Sequence, residues 1–432
     1  MNPGASLWQN RTFVLLFGAQ VVSLVGSGAT TIGLALFAYR LAGAGSATLV
    51  VGTALTLRIV AFLLFSQPAG VLADRTNRKR ILIAADVLRA GLLGLLPFAS
   101  TIWHVYVMIF LINAVTAFFS PTYQAIIPAV VGEFHLVRAL AVSRVAQDLE
   151  TIASPAIAVA LVSVLGARWV FWFDAGTYAV SAALVLCATI PRVYERGPAL
   201  SLGSLWGEVS YGTRAILRQR VLRQTLVLSF VEALAGAVAI VATVTYVRDL
   251  LQLGDTEVAV AMAAVGVGST LAALGLGKLT GRYERTHAGA AALHGSRHVW
   301  TRRALLLGGT CLGVVLLPLW FGPPFAVLVT LWAFNGVGQS LISIGSSTLL
   351  AEHTFPAERG RVYAAYFALT HACWLVTYPL IGIAGARLGV TVTMAAAGVV
   401  CLFLTAVAAL LRGRTGDHVH SPSSPSSAGS NT

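Results

Sequence analysis

Twelve long apolar runs, parted by short polar breaks, leave this chain one kind of surroundings to fold in. They lie at about 12–38, 47–73, 81–100, 102–128, 138–165, 168–190, 221–247, 258–280, 303–322, 324–350, 362–386 and 390–411. A helix rises 1.5 Å per residue, so about 20 apolar residues cross the ~30 Å of hydrocarbon in a bilayer. No run alternates polar and apolar over the roughly ten residues that a barrel strand needs. Helices satisfy their own backbone groups, which lipid cannot do. With 57% of residues hydrophobic and 10% charged, there is too little polar surface to cover a soluble protein of this size. The first run lacks a small-residue cleavage site and reads as a retained span, not a signal peptide. The expected fold is an all-α membrane protein with 12 transmembrane helices.

Charge orients the spans. With both termini on one side, that side collects 23 Lys and Arg residues, the other 4, and 2 (Arg58 and Arg89) fall within spans. The excess places both termini in the cytoplasm. It also accounts for the net charge of +13, which is spread over the loops on that side. A basic chain invites a nucleic-acid reading, and topology removes the need for one.

The chain reads as two copies of one unit. Gly70-Val-Leu-Ala-Asp-Arg75 is echoed by Gly277-Lys-Leu-Thr-Gly-Arg282, and Asn113-Ala-Val115 by Asn335-Gly-Val337. The offsets are 207 and 222, and the extra 15 residues fall in the longer loop between spans eight and nine. The expected division is an N-terminal six-helix half (1–190), a cytoplasmic linker (191–220), a C-terminal six-helix half (221–411) and a Ser/Pro-rich disordered tail (412–432). Two related six-span halves place a site between them near the bilayer midplane.

The loop after the second span, GVLADRTNRKR, carries a family resemblance. It resembles the signature loop of the major facilitator superfamily, G-x-L-a-D-R-x-G-R-K/R, with Gly70, Leu72, Asp74, Arg75, Arg78 and Lys79 in its slots. Asn77 stands where Gly is usual, and Asn tolerates a left-handed turn. Further stretches resemble the drug- and siderophore-exporter branch, that of enterobactin and macrolide exporters. They are Arg58 ahead of Gln67-Pro68-Ala-Gly70, Asp86-Val-Leu-Arg89, Ser120-Pro121 to Pro128, Asp174-Ala175 and Arg359-Gly-Arg361. Two features depart from the branch. Ser27 follows Gly26 where an Asp is frequent, and the fifth span has Ser154-Pro155 in place of a Gly-Pro pair.

The resemblance implies alternating access, with Gly70, Asp74, Arg75, Arg78 and Lys79 forming a conformational latch. Asp74 would accept hydrogen bonds from a facing helix N-terminus and from arginines. Ionisable residues inside spans are costly and need a partner or a role. Asp86 with Arg89, and Arg144 with Asp148, are spaced to pair along one helix face. Glu150 lies about 200° around the helix from Asp148. Arg58, Glu232 and Glu150 are left without local partners, so Glu232, Arg58, Glu150 and Asp148 are the candidate proton and charge relay. Glu232 is the expected proton carrier. Arg58 must face an anion or water, and its options are Glu232, Glu150 or an anionic group of the substrate. If Glu232 is the partner, its protonation frees Arg58 for that group; a fixed structural strut is the rival reading. Asp174, near the outer end of its span, reads as a cap or a snorkelling acid. Asn113, Phe119 and Tyr123 on the fourth span, Trp332, Asn335 and Gln339 on the tenth, and His371 on the eleventh are the substrate-cavity candidates. Aromatics with sparse amides suit a bulky amphipathic ligand.

No Cys-x-x-Cys, His-Glu-x-x-His or phosphate-cradling Gly loop is present. The chain is expected not to be an enzyme, to need no cofactor or metal, and to draw on a proton gradient. The four cysteines suggest no disulfide framework. His287, His294 and His298 read as part of a solvated loop. The expected protein is a monomeric, multi-pass exporter of a drug or siderophore in the bacterial cytoplasmic membrane, with lipid around it and no nucleic-acid partner. A lysophospholipid flippase and a non-transporting sensor of the same fold are the alternatives.

Overall fold

The computed structural model describes residues 7–42, 47–191, 202–286 and 290–411, and every regular element among them is helical. The first group comprises α1 (Arg11–Ala42), α2 (Ala47–Arg75), α3 (Arg78–Leu95), α4 (Ile102–Leu165) and α5 (Ala167–Cys187). A bridging helix, α6 (Leu202–Arg218), leads to α7 (Arg220–Ala237), which runs on through π-helical turns at Val238–Ala242 and Tyr246–Leu250. Then come α8 (Asp255–Thr286), α9 (Ala290–Leu316), α10 (Phe325–Glu352), α11 (Arg359–Leu388) and α12 (Val390–Leu410). Among the described residues, eleven helical stretches are long and apolar enough to cross a membrane.

Breaks fall where the backbone chemistry permits them. The 64 residues of α4 are two helices end to end, parted at Gly132, whose φ of 70° and ψ of 171° suit glycine alone. The second arm therefore begins before Arg138, and Arg144 lies inside a helix rather than in a loop between spans. Gly166 and Gly389 open α5 and α12 with nearly the same dihedrals, φ 88° and 87°. They stand 223 positions apart, close to the offset between the two copies in the sequence.

Two expectations about loops are corrected. Asn77 makes no left-handed turn. It has φ −69° and ψ 106°, and its side chain accepts a hydrogen bond from the Lys79 amide at 3.0 Å, capping α3. The backbone at His294 and His298 is helical, within α9, while His287 and the tail from 412 lie outside the described residues.

Each group has its own core. Leu16, Leu82, Ile126, Ile127 and Val185 meet in the first. Leu234, Tyr246, Leu312, Leu328, Trp332 and Cys401 meet in the second. Between the groups, α2 lies on α11 and the second arm of α4 lies on α8. Both copies of the repeated glycine sit at these crossings. A Cβ on Gly70 would lie 2.5 Å from Ala364 Cβ and 2.6 Å from Gly360 O, and one on Gly277 would touch Ala141 Cβ at 3.5 Å. Gly360 is held as tightly, since a Cβ there would come within 2.5 Å of Asp74 Oδ1 and 2.7 Å of Gly70 O. Gly360→Ala is therefore expected to force α11 off α2 and cost about 1–3 kcal/mol, read as a lowered thermal unfolding midpoint in detergent.

Candidate functional site

The contact between the groups is ionic at the end of the bundle that carries the 2–3 loop. Asp74, at the C-terminus of α2, is 4% exposed. Its Oδ1 accepts from the Gly360 amide at 2.7 Å and from Arg78 Nη2 at 2.9 Å. Its Oδ2 accepts from the Arg361 amide at 2.9 Å and from Arg361 Nε at 3.1 Å. Those two amides belong to the first turn of α11, where backbone N–H groups lack helical partners and the dipole favours an anion. Arg78 also reaches across to Pro356 O at 3.1 Å and donates to Ala73 O at 3.1 Å.

Other members of the sequence motif do different work. Lys79 donates to Leu186 O and Ala188 O at 2.7 and 2.8 Å, and so caps the end of α5 instead of joining the latch. The motif sets Lys79 beside Asp74 in sequence, but α3 turns the Lys79 stem the other way. Arg75 follows Asp74 at the end of α2, half-buried, and none of the hydrogen bonds around Asp74 comes from it. The bridging helix α6 covers the contact. Tyr211 lays its ring 4.4 Å from the Arg361 guanidinium. Burial, followed by the Glu358 carboxylate, pushes its phenol up to about 12.

A cavity of about 620 Å³ opens beside this contact. It is lined mainly by the first group, with Ser343, Ile344, Ser347, Phe367 and His371 from the second. Asn113, Phe119 and Tyr123 line it, as do Arg58, Asp148 and Glu150. Phe119 and Tyr123 stack at 5.8 Å, and the Tyr123 hydroxyl donates to Gln20 Oε1 at 2.9 Å. His371 is fixed by its Nδ1 donating to Phe367 O at 2.7 Å, with the Phe62 ring 4.8 Å away.

Trp332, Asn335 and Gln339 are corrected, because none lines the cavity. Their face of α10 is turned into the second group's own core. Trp332 is fully buried and donates from Nε1 to Thr243 Oγ1 at 2.8 Å, while Gln339 Nε2 donates to Asn335 Oδ1 at 2.6 Å. The cause is Gly336, where α10 comes so near α8 that a Cβ would collide with Val265 O. Trp332→Phe is thus expected to cost roughly 1–3 kcal/mol of stability. It should leave ligand affinity unchanged when both are measured on the purified protein.

The charge pairing is corrected as well. Glu232 faces Arg144 (Nη1 to Oε1, 3.9 Å), not Arg58. Arg144 also pairs with Asp148 at 3.2 Å and donates to Ser269 Oγ at 3.1 Å, so one guanidinium joins the second arm of α4 to α7 and α8. Sequence spacing identifies the Arg144–Asp148 pair as local support and misses its reach across the interface. Arg58 stands in the cavity, 5.5 Å from the Phe62 ring centroid, where the carboxylate it acts on is Glu150.

Comparison with known proteins gives the family. The Major Facilitator Superfamily model matches residues 16–296 and 296–430, and the chain belongs to that superfamily. With eleven candidate spans among the described residues, it is a multi-pass membrane protein of that superfamily. Macrolide efflux protein A of Streptococcus pyogenes is 29% identical over 212 residues, 48% of this chain and 51% of that protein. The chain thus spans about half the length of that curated relative. Multidrug efflux pump Tap of Mycolicibacterium fortuitum is 25% identical over 409 residues, covering 86% of this chain and 95% of the pump. Enterobactin exporter EntS of Shigella boydii is 28% identical over 240 residues, 54% of this chain and 56% of that protein. Among solved structures, the human organic anion transporter MFSD10 superposes with a TM-score of 0.72 at 14% identity, covering 93% of this chain and 99% of that one. A bacterial homologue of the iron transporter ferroportin, in an outward-facing state, gives 0.72 at 15% identity, with 93% and 98% covered. At such identities the structures speak for the fold.

Proposed function

We propose that the chain is a proton-coupled secondary transporter that exports a bulky amphipathic small molecule, a drug or siderophore, by alternating access. One observation carries the reading. The cavity lies between two helical groups whose contact at one end is held by a single buried carboxylate, Asp74, on the first turn of α11. Such a contact is reversible, since the hydrogen bonds and ion pairs at Asp74 can break and re-form while the small-residue crossings beside it slide apart.

In this reading the protein has twelve spans in two six-helix halves. The second arm of α4, after Gly132, is the twelfth. The end bearing Asp74 and the basic loops is cytoplasmic, with both termini on that side. The Asp74 contact then closes the cytoplasmic end, and the described state faces outward. Glu232, Arg144 and Asp148 form the proton relay. A proton on Glu232 removes one of the two anions that hold Arg144, and the contact between the second arm of α4 and α8 loosens. The protein works as a monomer in lipid, with no bound cofactor. The efflux functions named for its relatives support export and a substrate range that includes macrolides, other drugs and enterobactin.

Purified protein in liposomes tests this. A macrolide, enterobactin and ethidium are expected to move only when a pH gradient is imposed, and dissipating the gradient should stop the flux. Gradient-independent translocation of a lysophospholipid would move the function to lipid flipping. Ligand binding without flux would make the chain a sensor.

A further inference from the structure

The cavity wall built by α1, the first arm of α4 and α5 carries several hydrogen-bond acceptors. Ser23 Oγ donates to Ala19 O at 2.9 Å, Ser27 Oγ to Ser23 O at 2.5 Å, and Thr116 Oγ1 to Ile112 O at 2.8 Å. A hydroxyl has one proton, so Ser23 and Thr116 spend theirs on their own helices and present lone pairs, while Ser27 also bonds to Tyr178. Asn113 turns its amide nitrogen to Ile109 O at 2.8 Å, which directs its carbonyl oxygen away from that helix.

Asp174 completes this wall. Sequence position alone makes it a cap near the end of a span, but the structure sets it in the cavity lining, 1% exposed. Its Oδ1 receives the Thr177 hydroxyl at 3.1 Å, yet the same hydroxyl is 2.8 Å from Asp174 O, so one proton is shared between two acceptors. The Thr30 hydroxyl faces the carboxylate as a second neutral donor. On α1, Gly26 leaves room for the carboxylate; a Cβ there would collide with Asp174 Oδ1 and Thr177 Oγ1.

The nearest cation is already committed. Arg89 is paired with Asp86, whose other oxygen accepts from Ser181 at 2.7 Å. The Arg89 guanidinium is also clasped between the rings of Phe119 and Tyr178, 4.2 Å from each centroid. Among the described residues, Asp74, Asp86, Asp148 and Glu232 each form an ion pair with an arginine, and Asp174 forms none. A buried carboxylate among acceptors has unmet demand for a positive donor.

We propose that Asp174 is the anchor for a positively charged nitrogen on the transported molecule, so that the cavity selects amphipathic organic cations. The inference rests on the reading that this cavity is the substrate site. A cationic head at Asp174 meets the acceptors of Ser23, Asn113 and Thr116. The apolar body lies toward Phe62 and Phe367, whose rings meet at 5.1 Å. Arg58 and Glu150, which also line the cavity, balance each other, and Asp174 has no arginine paired with it alone.

Calorimetric titration of the detergent-purified protein with tetraphenylphosphonium and tetraphenylborate, ions of matched shape and opposite charge, tests it. Wild-type protein should bind the phosphonium at least about tenfold more tightly than the borate, the size of a charge-assisted contact. Asp174→Asn should weaken phosphonium binding roughly tenfold or more and leave borate binding unchanged, for the same reason. Asp174→Glu should keep the preference. Wild-type protein that binds neither ion or both alike, or Asp174→Asn with unaltered phosphonium affinity, overturns the proposal. The wild-type preference keeps it testable even where Asp174→Asn does not fold. Absence of flux with cation binding intact would sink the transport reading and leave the cation site standing.

Discussion

Asp74→Asn is expected to abolish gradient-driven transport while the protein still inserts and folds. The substitution keeps size and shape but removes the anion that four donors converge on, two amides of α11 and the guanidinium groups of Arg78 and Arg361. An Asn amide offers one acceptor oxygen and turns an N–H₂ toward the remaining donors. Hydrogen bonds to charged groups contribute about 1.5–3 kcal/mol each, and a buried cation stripped of its partner costs about 3–5 kcal/mol. Arg78 is 4% exposed and cannot turn to water without moving. The closed end should therefore open. A cysteine placed at Ser347, in the cavity lining, should react with an impermeant maleimide from the basic side in the Asp74→Asn background and stay protected in the parent. Transport at the parent rate would reduce Asp74 to a topology signal.

The second large effect is expected at Arg144. Arg144→Gln leaves Asp148 and Glu232 facing each other's neighbourhood without a cation, a loss of about 3–5 kcal/mol for a buried network broken on one side. Glu232→Gln should be far milder for folding, because Arg144 keeps Asp148 at 3.2 Å. It should nonetheless stop pH-gradient-driven flux and spare ligand binding. The double variant Arg144→Gln with Glu232→Gln should recover part of the stability lost in Arg144→Gln alone, a coupling that independent sites do not show. Unfolding midpoints of the three variants, with flux measured in parallel, give the answer. Full gradient-driven flux in Glu232→Gln would remove it from the relay and leave Asp148 or Glu150.

How far these features are legible in the sequence follows from what each depends on. Spans follow from hydropathy and length, which act within one segment. The break at Gly132 and the paired glycines at 166 and 389 follow from backbone sterics, and their letters stand in the sequence. The partner of Asp74 is half-legible: Arg359-Gly-Arg361 stands out by resemblance, but nothing local joins it to a loop some 285 residues away. The wider role of Arg144 is hidden because its i, i+4 spacing to Asp148 explains it locally, and its reach to Glu232 depends on how α4 crosses α7. The Trp332 face is misassigned from sequence because one helix does not reveal which neighbour it turns to. Gly336 on that face is the signal, since a glycine in mid-helix marks a close approach. Sequence gives Asp174 a depth, and depth says nothing of which side of α5 opens on the cavity.

The central claim is that Asp74 on α11 is the reversible closure of the cytoplasmic end. Spin labels at Arg80 and Phe355, both exposed and on opposite sides of that closure, allow it to be measured by pulsed dipolar spectroscopy in lipid nanodiscs. The account predicts a dominant short-distance population in the parent and a shift to longer distances in Asp74→Asn, with no change in the cavity's ligand preference. Identical distance distributions in the two proteins would contradict it.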